Sequence, residues 1–166
     1  MPPVWLPIAA LLTIIAVSAL RVRGVERAHG VKAFSFGRHA PIQNVAERNW
    51  KLATILALAF AVVTWLAPQW EYALGQPAWA DSSALKWIAA SVFAASVFII
   101  AIAQVQMGAS WRIGVPADGP GALVAHGLFR WSRNPIFVGM LGAVFALFLW
   151  SPHIGTAAVL AATWTL

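Results

Sequence analysis

Residues 84–107 read ALKWIAASVFAASVFIIAIAQVQM, and this stretch decides the fold of the chain. Its only charged residue is Lys86, close to its beginning. The stretch is longer than the roughly 20 apolar residues that an α-helix needs to cross a bilayer. An apolar run of this length predicts a membrane-spanning helix, because the buried helices of water-soluble proteins are usually shorter.

Further apolar runs occupy residues 4–20, 50–66 and 135–150, and a shorter one occupies residues 154–166. At about 1.5 Å per residue, the last run would cover only about 20 Å of a hydrocarbon core that is roughly 30 Å thick. We therefore expect an all-α, polytopic transmembrane bundle of about five helices that forms one domain over residues 1–166. Either the fifth helix is only half-inserted or it continues beyond Leu166, and we favour the continuation because the run ends without a polar or basic anchor.

The composition agrees with a membrane protein. Hydrophobic residues make up 61% of the chain and charged residues 10%, whereas soluble domains are usually about 25% charged. The chain has no cysteine, which excludes disulfides, thiolate metal sites and cysteine nucleophiles. The four histidines (His29, His39, His126 and His153) are scattered and form no metal-ligand motif, so no metal site is expected.

The net charge of +6 indicates membrane topology, and we expect no nucleic-acid partner. The basic residues lie in the links between apolar runs, where they determine which side of the membrane each link occupies. The link over residues 21–51 carries Arg21, Arg23, Arg27, Lys32, Arg38, Arg48 and Lys51, and the link over residues 108–134 carries Arg112, Arg130 and Arg133. The link between the second and third runs contains Glu71 and Asp81 against Lys86.

By the positive-inside rule, the first and third links are predicted to be cytoplasmic and the N-terminus to be outside. The tryptophans give the same topology, because indole rings prefer the membrane boundaries. We expect Trp5, Trp65, Trp70, Trp79, Trp87 and Trp150 at the outer boundary and Trp50, Trp111 and Trp131 at the inner one. The partner predicted by these features is the lipid bilayer itself.

The stretch HGLFRWSRNPIFVGM, residues 126–140, places two arginines beside an apolar helix. Pro135 is suited to the first position of that helix and Asn134 to its N-cap. An anion site is predicted at this helix start. It would combine the unpaired backbone N–H groups, the positive end of the helix dipole and the guanidinium groups of Arg130 and Arg133. Arginines at a helix end also serve as ordinary topology signals that reach lipid headgroups.

Within the same helix, Gly139 and Gly142 pair with Ala143 and Ala146 at a spacing of four residues. Small residues at this spacing allow another helix or a flat ligand to approach the backbone closely.

The segment GLFRWSRNPIFVGM resembles the signature of the isoprenylcysteine carboxyl methyltransferase and phospholipid methyltransferase superfamily. The preceding GALVAHG is similar to the approach to that signature, and MGASWRIGV is similar to a Ser-Trp-Arg stretch of the bacterial branch. The resemblance covers about residues 107–142. It implies an S-adenosyl-L-methionine-dependent methyltransferase, here expected in a bacterial inner membrane, that methylates a lipophilic or small acceptor through a carboxylate, amine or thiol.

The resemblance also implies the site residues. Those expected to bind the cosubstrate are Leu123, Val124, His126, Gly127, Phe129, Arg133, Asn134, Pro135, Phe137 and Gly139. Arg133 and Asn134 are the predicted catalytic pair, and Arg133 is expected to hold the methionyl carboxylate, since a guanidinium can bind a carboxylate through two hydrogen bonds. Gln104 and Gln106 are candidates for supporting contacts.

The chain departs from the superfamily pattern at Gly121, Ala125 and Asn134, where relatives often have histidine, threonine and histidine. Relatives also continue into a C-terminal segment with a glutamate pair, which the given sequence does not contain. Two alternatives therefore stay open. One is an NADPH-dependent reductase of the sterol or steroid kind, although Ile136 to Met140 lack the tyrosine and acid of those enzymes. The other is a non-catalytic membrane protein of the same fold.

Overall fold

The structure is a computed structural model that describes residues 1–30, 33, 41–111 and 123–164. All regular structure in these ranges is helical. The helices are α1 (Leu6–His29), α2 (Pro41–Leu66), α3 (Gln69–Ala73), α4 (Ser83–Met107), α5 (Pro135–Trp150) and α6 (Ile154–Trp164). Short 3-10 turns lie at Ala78–Asp81, Gly108–Ser110 and Gly127–Arg130. The predicted all-α fold is confirmed.

The five longer helices pack in a ring, and α5 also contacts α1 and α2 across it. The order around the ring is α1, α4, α5, α6, α2 and back to α1, and the contact between α4 and α5 is the most extensive. All five helices contribute to the main apolar core, which contains Leu11, Ile14, Ala57, Ala61, Phe93, Ile100, Ala143, Ala146, Leu147 and Val159. The core is rich in alanine, which allows the helices to pack closely.

Within the described residues, three helices are long and apolar enough to cross a membrane: Leu6–Ala28, Glu47–Leu66 and Ser83–Met107. Helices α5 and α6 are apolar but shorter, with 16 and 11 residues, which correspond to about 24 Å and about 17 Å of helix. Their bounds agree with the predicted fourth run and, up to Trp164, with the fifth. Residues 165 and 166 lie outside the described part of the chain.

The first two helices extend further than their apolar runs predicted. Helix α1 continues to His29, so Arg21, Arg23 and Arg27 lie on its last turns, and α2 begins at Pro41. The expected link over residues 21–51 is therefore largely helical. Arginine, lysine and glutamate have good helix propensity, so a helix can continue through charged residues. Hydropathy therefore predicted where the apolar part of each helix ends but not where the helix itself ends. Helix α1 ends at Gly30, which has φ +64, a value that glycine adopts without a side-chain penalty.

The bundle has two chemically different ends. The motif end, at Gly127–Arg130 and Asn134, also contains the last turns of α1 and α4 and the first turns of α2. The opposite end contains α3, the start of α4 and the connection between α5 and α6. Trp5, Trp65, Trp70, Trp79 and Trp87 are exposed at that opposite end, as membrane-boundary tryptophans would be.

Two other tryptophans that are expected at the membrane boundaries are buried inside the bundle. Trp111 and Trp150 are each only 2% exposed. Trp111 packs with Val25 and Ala33, and Trp150 packs with Ala89 and Ala90. An indole has a large apolar area, and burying it inside the bundle competes with placing it among the headgroups.

Two glycines of α5 allow its close contact with α4. A Cβ atom at Gly139 would lie 2.6 Å from Cγ1 of Ile100 and 3.1 Å from the carbonyl oxygen of Ser96, and one at Gly142 would lie 2.6 Å from Oγ of Ser96. These distances are shorter than van der Waals contact, so a methyl group at either position would force the Ser96 or Ile100 side chain of α4 to move. The predicted small-residue face of α5 is confirmed, and its neighbour is a helix.

We expect Gly139→Ala to lower the free energy of unfolding by about 1–3 kcal/mol, because the added methyl overpacks the α4–α5 contact. Thermal unfolding in detergent measures the change. Gly24→Ala is the matched control: no atom lies within 4 Å of a Cβ there, and alanine should stabilise α1 by up to about 1 kcal/mol. Equal destabilisation by both substitutions would contradict the packing assignment.

Candidate functional site

The candidate site is the segment that joins the 3-10 turn Gly127–Arg130 to the start of α5. Gly127 has φ +58, and a Cβ atom there would overlap the side-chain amide of Gln106. Oε1 of Gln106 accepts a hydrogen bond from the backbone N–H of Leu128 at 2.9 Å. The positive φ and the crowding both require glycine at this position. Gln106, on the last turn of α4, thereby fixes the turn that carries the motif. Gln104, the other glutamine predicted to give a supporting contact, instead donates to Oγ of Ser18 on α1 at 2.7 Å.

The start of α5 has the geometry that the Asn-Pro pair predicts. Oδ1 of Asn134 accepts a hydrogen bond from the backbone N–H of Phe137 at 3.2 Å, and the backbone N–H of Asn134 donates to Oγ of Ser132, also at 3.2 Å. Pro135 lies in the first turn of the helix and is buried. The predicted N-cap is therefore confirmed. Because Oδ1 is used by the cap, the Asn134 side chain has only its NH2 group left for a ligand.

The two arginines of the motif point to the surface. Arg130 and Arg133 are exposed, and neither forms a hydrogen bond or ion pair with the described residues. They lie beside the N-terminus of α5, whose first backbone N–H groups carry a partial positive charge. This part of the molecule therefore combines three sources of positive potential.

The other predicted site residues divide into an exposed and a packed group. Leu123 is 93% exposed, His126 is exposed, and Val124 and Phe129 are half-buried. The Phe137 ring is partly exposed and lies 5.7 Å, centroid to centroid, from the ring of Trp50 on α2. Gly139 is buried against α4. The residues from Gly127 to Phe137 thus form one continuous stretch at the motif end, and Gly139 lies within the helix contact behind it.

Residues 112–122, which include Arg112 and Gly121, lie outside the described residues.

A polar cluster at the opposite end was not predicted. The Lys86 ammonium donates a hydrogen bond to the carbonyl oxygen of Trp150 and lies 5.4 Å from the centroid of the Trp150 ring. Nearby, Ser151 Oγ donates to Oε1 of Gln76 at 3.1 Å, and the Gln76 amide donates to Asp81 at 3.1 Å. In the sequence, this cluster is indicated only by Lys86 at the start of an apolar run and by the polar residues between the last two runs.

His153 belongs to this cluster and caps α6. Its Nδ1 accepts hydrogen bonds from the backbone N–H groups of Gly155 at 3.0 Å and Thr156 at 3.3 Å, so the ring proton of the neutral form is on Nε2. The ring also meets Phe60 edge to face, with 5.0 Å between centroids. Burial lowers the pKa of His153 below the ordinary histidine value of 6.5, since an imidazolium loses hydration there.

In the described part of the chain, no group of three or more histidine, aspartate or glutamate side chains could hold a metal ion. Comparison with protein families, curated proteins and solved structures gave no match.

We expect the bundle to lose stability as the pH falls from about 7.5 through 6.5. In the unfolded chain, His153 takes up a proton near its ordinary pKa, whereas in the folded chain it does so only at a lower pH. The contribution of neutral His153 to the free energy of unfolding is therefore complete above the ordinary pKa. It decreases as the pH falls from there to the lower pKa of the folded chain. Thermal unfolding across this pH range measures the slope. His153→Asn should flatten it, because asparagine can still cap the helix but does not titrate.

His126→Asn serves as the control, since His126 is exposed and its replacement should leave the slope unchanged. If His126→Asn flattened the pH dependence and His153→Asn did not, the assignment to His153 would be wrong.

Proposed function

We propose that this chain is an S-adenosyl-L-methionine-dependent membrane methyltransferase, of the kind that the motif resembles, which acts on a lipophilic or small acceptor. One observation carries the proposal. The motif segment forms a 3-10 turn and a capped helix N-terminus that present two exposed guanidinium groups, and neither group has a partner among the described residues. An unneutralised cationic surface suits a cosubstrate that carries a carboxylate.

The residues at this surface fit the parts of that cosubstrate. Arg133 would pair with the methionyl carboxylate, with Arg130 adding positive potential. The half-buried Phe129 and the partly exposed Phe137 offer apolar surface for the adenine ring. The NH2 group of Asn134 would donate a hydrogen bond to a cosubstrate oxygen or nitrogen. His126 and Leu123 are exposed beside the turn and would approach from the loop side.

When bound, the cosubstrate would supply an activated methyl group on a sulfonium. The acceptor would form a bond to the methyl carbon in line as the carbon–sulfur bond breaks, and S-adenosylhomocysteine would leave. The protein has little covalent chemistry to perform in such a reaction, and its contribution is to hold the two reactants at the correct distance and angle. The 3-10 turn fixed by Gln106 and the cap formed by Asn134 provide a rigid frame for that purpose. A carboxylate or thiolate acceptor needs no general base, whereas an amine must be bound without its proton.

The membrane arrangement belongs to the same proposal. We place α1, α2, α4, α5 and α6 in a bacterial inner membrane with the N-terminus outside and the motif end on the cytoplasmic side. Support comes from the exposed Arg23, Arg27, Arg48, Arg130 and Arg133 at the motif end and from the exposed tryptophans at the other. A cytoplasmic motif end would give the site access to a soluble cosubstrate.

Ligand-dependent thermal stability tests the function. We expect S-adenosylhomocysteine to raise the unfolding temperature of the purified protein, because a ligand that binds only the folded state stabilises it. NADPH should have no effect. Stabilisation by NADPH alone would favour the reductase alternative, and a lack of response to both ligands would favour a non-catalytic protein.

Calorimetry then tests the arginine. Arg133→Ala should weaken S-adenosylhomocysteine binding about tenfold or more, the usual effect of removing a charge-assisted hydrogen bond. Arg27→Ala, which removes an exposed arginine from α1, should leave the affinity within about twofold, because its charge is screened by solvent. Wild-type affinity in Arg133→Ala would show that this guanidinium does not hold the carboxylate.

Cysteine labelling tests the orientation, and the absence of native cysteines gives a clean background. In right-side-out vesicles we expect Trp79→Cys to react with a membrane-impermeant maleimide and Arg27→Cys to react only after the membrane is opened. The reverse pattern would invert the proposed topology.

A further inference from the structure

Trp50 on α2 is an aromatic residue at the motif end that the predicted site does not include. Its ring lies 5.7 Å, centroid to centroid, from the ring of Phe137, and the two ring planes are tilted by 54°. This separation and tilt are within the range that aromatic pairs favour. A predicted cosubstrate residue on α5 is therefore in contact with a helix that carries no predicted site residue.

The face of α2 that meets the bundle ends at Trp50. Ala53, Ala57 and Ala61 are buried along that face. Trp50 precedes Ala53 by three residues, which places it on the same side of the helix. Trp50 itself is half-buried, so its side chain continues the inward face of α2 at the motif end and meets α5 there.

The backbone of Phe137 is fixed independently of this contact. Its N–H group donates to Oδ1 of Asn134 at 3.2 Å, which holds the residue in the first turn of α5. Phe137 is nevertheless 41% exposed, and the cap does not select among the rotamers of its side chain. Within the described residues, the aromatic contact of that ring is with Trp50, and this contact selects the orientation.

The orientation of Phe137 matters for a ligand at the same helix start. Phe137 follows Arg133 by four residues, so its ring and the proposed carboxylate-binding guanidinium lie about one helical turn apart. An adenine ring that stacks on Phe137 needs that side chain in one orientation. If the ring were free in the unliganded protein, binding would have to immobilise it, and this ordering lowers the affinity.

We propose that Trp50 is a positioning residue of the cosubstrate site, which holds the ring of Phe137 in the orientation that receives the adenine ring. This role rests on the proposed function, because it requires S-adenosyl-L-methionine as the ligand of the motif. Trp50 acts through Phe137 and not on the reacting atoms. Helix α2 then takes part in the site together with α4, which holds the turn through Gln106, and α5, which carries the cap.

A membrane anchor is the competing role for Trp50, since a tryptophan is expected at the inner membrane boundary. An anchor of that kind stabilises the helix in the bilayer and leaves the affinity for a cosubstrate analogue unchanged. Ligand affinity therefore separates the two roles.

Calorimetric titration of the purified protein with S-adenosylhomocysteine tests the positioning role. Trp50→Leu should weaken binding about three- to tenfold, because the ring of Phe137 must then be ordered on binding. Trp50→Phe keeps a ring on α2 and should bind within about twofold of wild type. The matched control is Trp65→Leu, the same substitution at the opposite end of the same helix, where Trp65 is exposed; the affinity should not change.

The outcomes distinguish this role from the proposed function. Failure of the wild-type protein to bind S-adenosylhomocysteine would overturn the proposed function and this role with it. Binding by wild type with equal affinity in Trp50→Leu would overturn the positioning role alone. If Trp50→Leu does not fold, Trp50→Met replaces it, because methionine keeps a long apolar side chain on α2 without a ring.

A double-mutant cycle shows whether Trp50 acts through Phe137. Phe137→Leu should weaken S-adenosylhomocysteine binding, and adding Trp50→Leu should cause no further loss, because the two residues share one interaction. Wild-type affinity in Phe137→Leu, or losses that add in the double variant, would overturn the proposal.

The dependence of binding on ionic strength gives a further reading. Trp50→Leu should keep the wild-type salt dependence, since the guanidinium groups of the motif are unchanged. An altered salt dependence would show a general disturbance of the motif end and would overturn the specific role of Trp50.

Discussion

The close approach of α5 to α4 is the contact on which the rest of the structure depends. It requires that Gly139 and Gly142 have no side chains, because Ser96 and Ile100 of α4 occupy the space where those side chains would be. In a membrane there is little hydrophobic force between apolar helices, so close packing of small residues supplies much of the attraction. The α4–α5 pair then provides the surface on which α1 and α6 pack, and α2 closes the ring.

The same contact positions the candidate site. The last turn of α4 carries Gln106, which binds the backbone of the 3-10 turn, and the first turn of α5 carries the Asn134 cap. The motif is therefore held from both helices of the central pair. This explains how a loop with exposed arginines can be ordered at the edge of an apolar bundle, and a rigid frame of this kind suits a reaction that depends mainly on alignment.

Much of the fold could be predicted from the sequence, because apolar periodicity and turn residues act locally. The Asn-Pro pair fixed the start of α5, and the small residues of α5 indicated a close neighbour. The lengths of α1 and α2 could not be obtained from hydropathy, since charged residues continue a helix as readily as apolar ones. The burial of Trp111 and Trp150, the Lys86 contact with Trp150 and the Gln104 contact with Ser18 all depend on which helices meet, and one sequence contains no local signal for that. The ligand proposed for the motif is likewise a question of chemistry at the site and is not decided by the fold.

The two ends of α5 are electrostatically unequal. At its C-terminus the backbone carbonyl groups carry partial negative charge, and the Lys86 ammonium lies on the carbonyl of Trp150, which neutralises part of that charge. At its N-terminus the partial positive charge faces Arg130 and Arg133, which have the same sign. Among the residues that the structure describes, one end of the helix dipole is therefore compensated and the other is not. An anion that arrives at the second end relieves repulsion already present in the folded chain, so its binding should grow stronger as the ionic strength falls.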